Sequence, residues 1–324
     1  MEFSGLIKSY RVNRLLDEQE KTHHLKQSQR LELDPHYQLS VIKLNSNYLE
    51  CVDKWFGWKG VLTAAMVTIL TMFIFGFLGI LHVTLISPPE LRPDNDGWLI
   101  CAVIAAMISP VIAAALWILQ KESFSYTHYP IRFNRKTRMV HVFRTNGTIL
   151  SVPWDVIFFT LGHMQQWDEW EVRGHILDPD NVTVRETFSL SYVGSLPTVA
   201  IAPNAQYSSQ DFVRAHWEFI RRYMEEGPQA VSSQVQFCMP VDGRRESFRV
   251  GAERVFSNFA CAPLLIYWMM FPFCSIVSIF RWFAMRTSKI PQWPQEVEEN
   301  CRLEANDPFA IKGGLDGKRI AIFP

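Results

Sequence analysis

The chain is 324 residues long, 48% hydrophobic and 20% charged, with 32 Lys or Arg against 32 Asp or Glu and no net charge. A neutral balance supplies no overall basic field, so composition points away from nucleic acid as a partner. The six cysteines form no CxxC pair and three of them lie in apolar runs, which argues against a disulfide framework or a zinc site.

Residues 1–59 are polar, carry nine Lys or Arg and lack the apolar core of a signal peptide. They are expected to form a cytoplasmic amino-terminal segment. Leu6, Ile7, Tyr10 and Leu15 suggest a weakly amphipathic helix, and residues 18–30 are too polar to bury a face unaided. Asp34-Pro35 ends that stretch, because a residue before proline avoids the helical region. Tyr37, Leu39, Val41 and Leu44, then Tyr48, Leu49 and Cys51, predict one or two short strands. Trp55, Phe56 and Trp58 stand before the first apolar run, where indoles favour the headgroup zone.

Residues 60–119 predict a transmembrane hairpin. The first run, 61–86 (VLTAAMVTILTMFIFGFLGILHVTLI), has no charged side chain, and His82 is its single ionisable group. As a helix it would be about 39 Å long, more than the ~30 Å hydrocarbon core. The second run, 98–119, is also uncharged; it contains Pro110 and five alanines between 105 and 115 that allow close helix approach. The connecting loop holds Arg92 against Glu90, Asp94 and Asp96, whereas residues 121–140 hold Lys121, Arg132, Arg135, Lys136 and Arg138. The positive-inside rule then places the amino terminus and residues 120–250 in the cytoplasm.

Residues 120–250 predict an antiparallel β-rich domain. Ile131 to Phe133 and Met139 to Phe143 flank a four-residue turn, and Asn146-Gly147 marks the next hairpin. Pro153-Trp154-Asp155 ends the return strand. Asp178-Pro179-Asp180-Asn181 joins two further strands, 170–177 and 182–190, and residues 198–201 suggest another. Helix 209–226 opens on a Ser208/Asp211 capping box and stops at Gly227-Pro228. Several short strands closed by one amphipathic helix is the order of a pleckstrin-homology-like split barrel, a fold analogy that does not fix function. In residues 251–324 a third apolar run, 258–280, contains Pro263 and Pro272. Its length suits a full span, which would carry Arg281, Arg286 and Lys289 outside; a re-entrant or interfacial segment would keep both basic flanks inside. The tail beyond Lys289 is expected to be loosely structured. The fold class is therefore an α+β membrane protein.

No HExxH, GxSxG, P-loop or GxGxxG pattern occurs, and His23, His24, His128, His141, His163 and His175 have no ligand spacing. The expectation is a protein that is not an enzyme and has no cofactor or metal. Arg132, Arg135, Lys136 and Arg138 lie about a dozen residues past a span, where each basic group contributes about 1 kcal/mol of attraction to an anionic leaflet. They are candidates for lipid or partner contact, against the plainer account of a solvated turn that signals topology. Trp167 and Trp170, in QQWDEWE, are candidates for a partner surface, although Trp170 would equally fit the barrel core.

The block at 130–155, PIRFNRKTRMVHVFRTNGTILSVPWD, resembles the core of an uncharacterised family of Gram-negative bacterial membrane proteins. There a P-x-R-F-N-R strand pair, an Asn/Asp-Gly turn and P-W-D follow a membrane hairpin. The likeness covers roughly residues 35–230. It implies an inner-membrane protein encoded beside type VI secretion effector genes, with immunity protein or adaptor as its role. The neutral net charge does not suit an acidic decoy of a basic nuclease, so a membrane-acting toxin is the favoured partner. A membrane-anchored lipid- or peptide-binding module is the alternative. Asn134, Trp154 and Asp155 are motif positions, more readily structural than chemical.

Overall fold

The computed structural model describes residues 5–86, 97–164, 169–190, 208–259 and 263–312. Eleven strands pair among these residues: β1 (Arg14–Leu15), β2 (His24–Leu25), β3 (Val41–Leu44), β4 (Tyr48–Cys51), β5 (Ile131–Asn134), β6 (Met139–Phe143), β7 (Ile149–Pro153), β8 (Ile157–Met164), β9 (Glu169–Leu177), β10 (Thr183–Ser189) and β11 (Ile311–Lys312). The helices are α1 (Glu18–Thr22), α2 (Val61–Leu85), α3 (Gly97–Glu122), α4 (Ser209–Glu226), α5 (Phe248–Ser257), α6 (Leu264–Thr287) and α7 (Gln295–Asn300). The fold is α+β. One antiparallel sheet has the order β11-β3-β4-β5-β6-β7 and the other β1-β10-β9-β8-β2.

The core lies between the sheets and α4. Alternate residues of the first sheet, among them Leu49, Phe133, Val140 and Val152, point inward beside Phe159 and Leu161 of β8. α4 closes this interior with Trp217, Ile220 and Tyr223, all fully buried. Its start is the expected capping box: Ser208 accepts from the Asp211 N–H and Asp211 reaches back to Ser208. In the β6–β7 hairpin only Gly147 takes a positive φ, 84°, and its N–H donates to the Arg144 carbonyl. The turn is thus a longer loop ending on a left-handed glycine, not a two-residue turn.

The helix pair α2–α3 is inserted between β4 and β5, which are direct neighbours with Leu49 opposite Phe133. Both helices, and α6, are long and apolar enough to cross a membrane. They meet the sheet module at one foot. Glu122, near the end of α3, accepts from the Thr63 N–H and hydroxyl, both at 2.6 Å. Lys59 is buried there and donates to the carbonyls of Glu122 and Tyr126 at 2.8 and 2.9 Å. Burial lowers the Lys59 ammonium to about 8 against the opposing pull of Glu122 and Asp53. Arg281 of α6 is ion-paired with Glu246 and donates to the Phe56 carbonyl. Gly60, at φ 101°, lies so close that an added Cβ would sit 2.6 Å from the Arg281 backbone nitrogen.

Three expectations change. The third apolar helix begins after Pro263 and runs on to Thr287, because a buried ion pair neutralises Arg281 within it. Its two flanks pack together: Arg245, before α5, donates to the carbonyls of Met285 and Ser288. Arg281, at the module end of α6, pairs with Glu246 from the stretch that precedes α5. Tail residues 290–312 are held on the sheet, with α7 on the outer face of the first sheet and β11 paired to β3. The amino-terminal segment has no helix over residues 6–15. It lends edge strands β1 and β2 to the second sheet, and its α1 is held by an Asp17/Glu20 capping box. The suggested strand at 198–201 lies outside the described residues.

Three buried histidines make stability pH-dependent. Burial lowers His128 to about 3, and His141 and His216 to about 4. Unfolded imidazoles bind protons from about pH 6.5 downward while the folded ones do not. Their contribution is therefore complete above that pH and is lost as the pH falls towards the folded values. Each histidine gives a slope of up to about 1.4 kcal/mol per pH unit. The thermal midpoint in detergent should fall steadily from pH 7 to pH 5, and His216→Phe should flatten the slope. A midpoint that holds or rises over that range would contradict the assignment.

Candidate functional site

The basic cluster expected at the surface is dispersed by the fold. Arg132 sits on the outer face of the first sheet yet is only 1% exposed. Its guanidinium donates to Glu50 at 2.9 Å and Glu298 at 3.2 Å, between the rings of Tyr48 and Trp293 at 4.6 and 4.8 Å. It is therefore not placed to meet lipid or a partner in this conformation. Arg138 is ion-paired with Asp155 and with Glu225 of α4. Arg135 is half-buried, its N–H donating to the Asn47 carbonyl. Lys136 alone of the four remains largely exposed, 3.6 Å from Glu304.

Register explains the burial of Arg132. Five polar residues lie directly opposite one another across five strands: Lys43, Glu50, Arg132, His141 and Ser151. The segment from Lys289 to Leu303 covers the middle of this row. Trp293 donates its indole N–H to Glu50, and Asn134 donates to the Asn300 carbonyl. Nη1 of Arg132 and Nε2 of His141 are buried without a hydrogen-bond partner. The flanking aromatic rings offset part of that cost for the guanidinium. The P-W-D residues join sheet to helix: Trp154 stacks on Trp217 at 5.4 Å and donates to Glu225 at 2.7 Å, beside the Arg138–Asp155 pair. Asn134 and Trp154 thus serve packing and turn closure.

Trp170 is half-buried at the rim of the core, stacked on His163 at 4.4 Å and tilted against His23 at 5.3 Å. Trp167 lies outside the described residues. Glu171, on the next position of β9, is fully buried with Lys54 at 2.5 Å and Arg173 at 2.6 Å. Burial alone would raise its carboxyl, but these two cations hold it below the ordinary value.

A cavity of about 640 Å³ opens beside the foot of α3, bounded by Trp117, Lys121, Phe124, Ser125, Tyr129 and Asn146. The Lys121 ammonium lies 5.3 Å from the Trp117 ring centroid. Phe124 follows the end of α3 in the left-handed region, at φ 65°. Glycine usually occupies that position, and a bulky residue there costs about 1–2 kcal/mol. The ring nevertheless stays 53% exposed, edge-on to Phe283 of α6 at 6.2 Å. Of these cavity residues only Lys121, as a topology signal, and Asn146, as a turn residue, were singled out from sequence. The signal was present in Trp117 and Lys121, four apart on one helix face at the end of an apolar run.

Residues 108–305 match the family DUF6708, described as a family of unknown function. The chain belongs to that family. The match begins within α3 and continues past residue 230 through α5, α6 and α7, so the third apolar helix and the segment over Arg132 fall inside the family's common region. No curated protein and no solved structure matches the chain.

The contrast within the basic cluster is measurable. Arg132→Met leaves Glu50 buried without its cation and should cost about 3–5 kcal/mol. Lys136→Ala, at an exposed pair, should change stability by less than about 1 kcal/mol. Denaturation of both variants checks this, and similar losses for the two would contradict the burial of Arg132.

Proposed function

We propose that the protein is a non-enzymatic bacterial inner-membrane protein that binds a protein partner at the membrane, as an immunity or adaptor protein against a type VI secretion effector. The observation that carries the binding role is the joint at the helix foot. Lys59, Glu122, Arg281 and Glu246 are buried where three apolar helices meet the sheets, so a partner held by the module is also held at a fixed height above the bilayer. That rigidity suits a protein neutralising a membrane-acting toxin, because both must meet in or on the same bilayer. The resemblance of the 130–155 block supports the effector connection. A pleckstrin-homology-like module is supported by strand order: β4–β7 lie in one sheet, β8–β10 in the other, and α4 follows. On this reading the membrane hairpin replaces the connection between the first two strands. The basic flanks of α2, α3 and α6 support a cytoplasmic module.

The role is tested in a strain lacking this gene together with an adjacent candidate effector gene. Restoring the effector alone should stop growth or depolarise the cells, and restoring both should preserve growth. Normal growth with the effector demonstrably expressed alone would sink the immunity role.

A further inference from the structure

We propose that the cavity at the foot of α3 is a binding site for one anionic phospholipid of the leaflet next to the module. The inference rests on the membrane placement proposed above. Three observations carry it. The cavity adjoins the last turns of an apolar helix, so its mouth stands where that helix leaves the hydrocarbon and headgroups begin. Its lining is mixed: Leu116 and Trp117 are 45% and 48% exposed. Lys121 follows them by about one turn at the foot of α3 and brings an ammonium, with the Asn146 amide and the Ser125 hydroxyl, itself bonded to Tyr129, also in the lining. Apolar side chains before a cation along the helix suit an acyl chain followed by a phosphodiester. Finally, Phe124 holds a left-handed backbone that would favour glycine, and its exposed ring stands at the cavity. The edge contact with Phe283 leaves half of the ring open, and a bound acyl chain or glycerol backbone would cover that open half.

Lys121 would pair with the phosphate while its stem stays on Trp117, as an amphipathic side chain does at an interface. The chain provides its own control. Arg286 lies 5.7 Å from the Trp282 ring centroid, a second cation–indole pair at the foot of an apolar helix but outside this cavity. General attraction of cations to an anionic leaflet would involve both pairs equally; a built site involves only Lys121.

The test uses the full chain in a neutral maltoside detergent, titrated with phosphatidylglycerol, phosphatidylcholine or inorganic phosphate while the thermal midpoint is followed. Phosphatidylglycerol should raise the midpoint more than phosphatidylcholine, and phosphate should leave it unchanged. Lys121→Gln should weaken half-saturation by phosphatidylglycerol about fivefold, the loss of one leaflet-facing charge. Arg286→Gln should leave it unchanged. Phe124→Gly relieves the backbone and removes the ring, so it should match or exceed the wild-type midpoint without lipid yet lose the preference for phosphatidylglycerol. The site is overturned if Lys121→Gln and Arg286→Gln weaken the effect equally, if phosphate alone reproduces it, or if phosphatidylcholine matches phosphatidylglycerol. A Phe124→Gly protein that keeps the full lipid preference would overturn it as well. Failure here leaves the effector test untouched, because neither strain in that test depends on Lys121.

Discussion

Charge burial at the foot of the helices is the constraint on which the rest of this structure depends. Taking an ammonium or guanidinium out of water costs several kcal/mol, and a partner recovers that only with good geometry. Here much of the geometry is supplied from distant parts of the chain: Lys59 by the end of α3, and Arg281 by Glu246 before α5. Arg254 is held locally by Asn258, which in turn donates to the distant Gly57 carbonyl. These links draw together helices and loops that apolar contact alone would leave free to slide. Such pairs specify position more surely than they add net stability.

The same logic governs the outer face of the first sheet. A row from Lys43 to Ser151 would be a wet polar face in a simple half-buried sheet. Instead Trp293, Val297 and Cys301 cover its middle, and Glu298 adds a second carboxylate to Arg132. Arg132, which sequence offers to a membrane or a partner, is thereby consumed within the protein, as Arg138 is by Asp155 and Glu225, while Lys136 stays exposed.

Local signals in the sequence were legible where they act over a few residues. The apolar runs, the Ser208 capping box, Asn146-Gly147 and the strand pair from Ile131 to Phe143 all decide their own conformation. Strands β1 and β2 were not legible, because two residues such as Arg14-Leu15 carry no period and become strands only through the free edges of β10 and β8. Arg132 was misplaced for a related reason. Alternation puts Phe133 in the core and Arg132 on the opposite face, which reads as solvent until Trp293, far along the chain, covers it. The third apolar helix was displaced because Arg281 looks like a flank in sequence and becomes interior once Glu246 pairs with it. The candidate cavity was hidden most deeply, since a helix foot and a hairpin tip from separate elements form it.

The central claim is that the sheets and the apolar helices form one rigid body through the buried foot. Pulsed electron paramagnetic resonance between spin labels at Ile80, exposed on α2, and Asn146, at the hairpin tip, measures this in liposomes. A single narrow distance distribution is predicted, broadening when Glu246→Gln leaves Arg281 unpaired. A broad distribution in the otherwise unaltered protein would contradict the account.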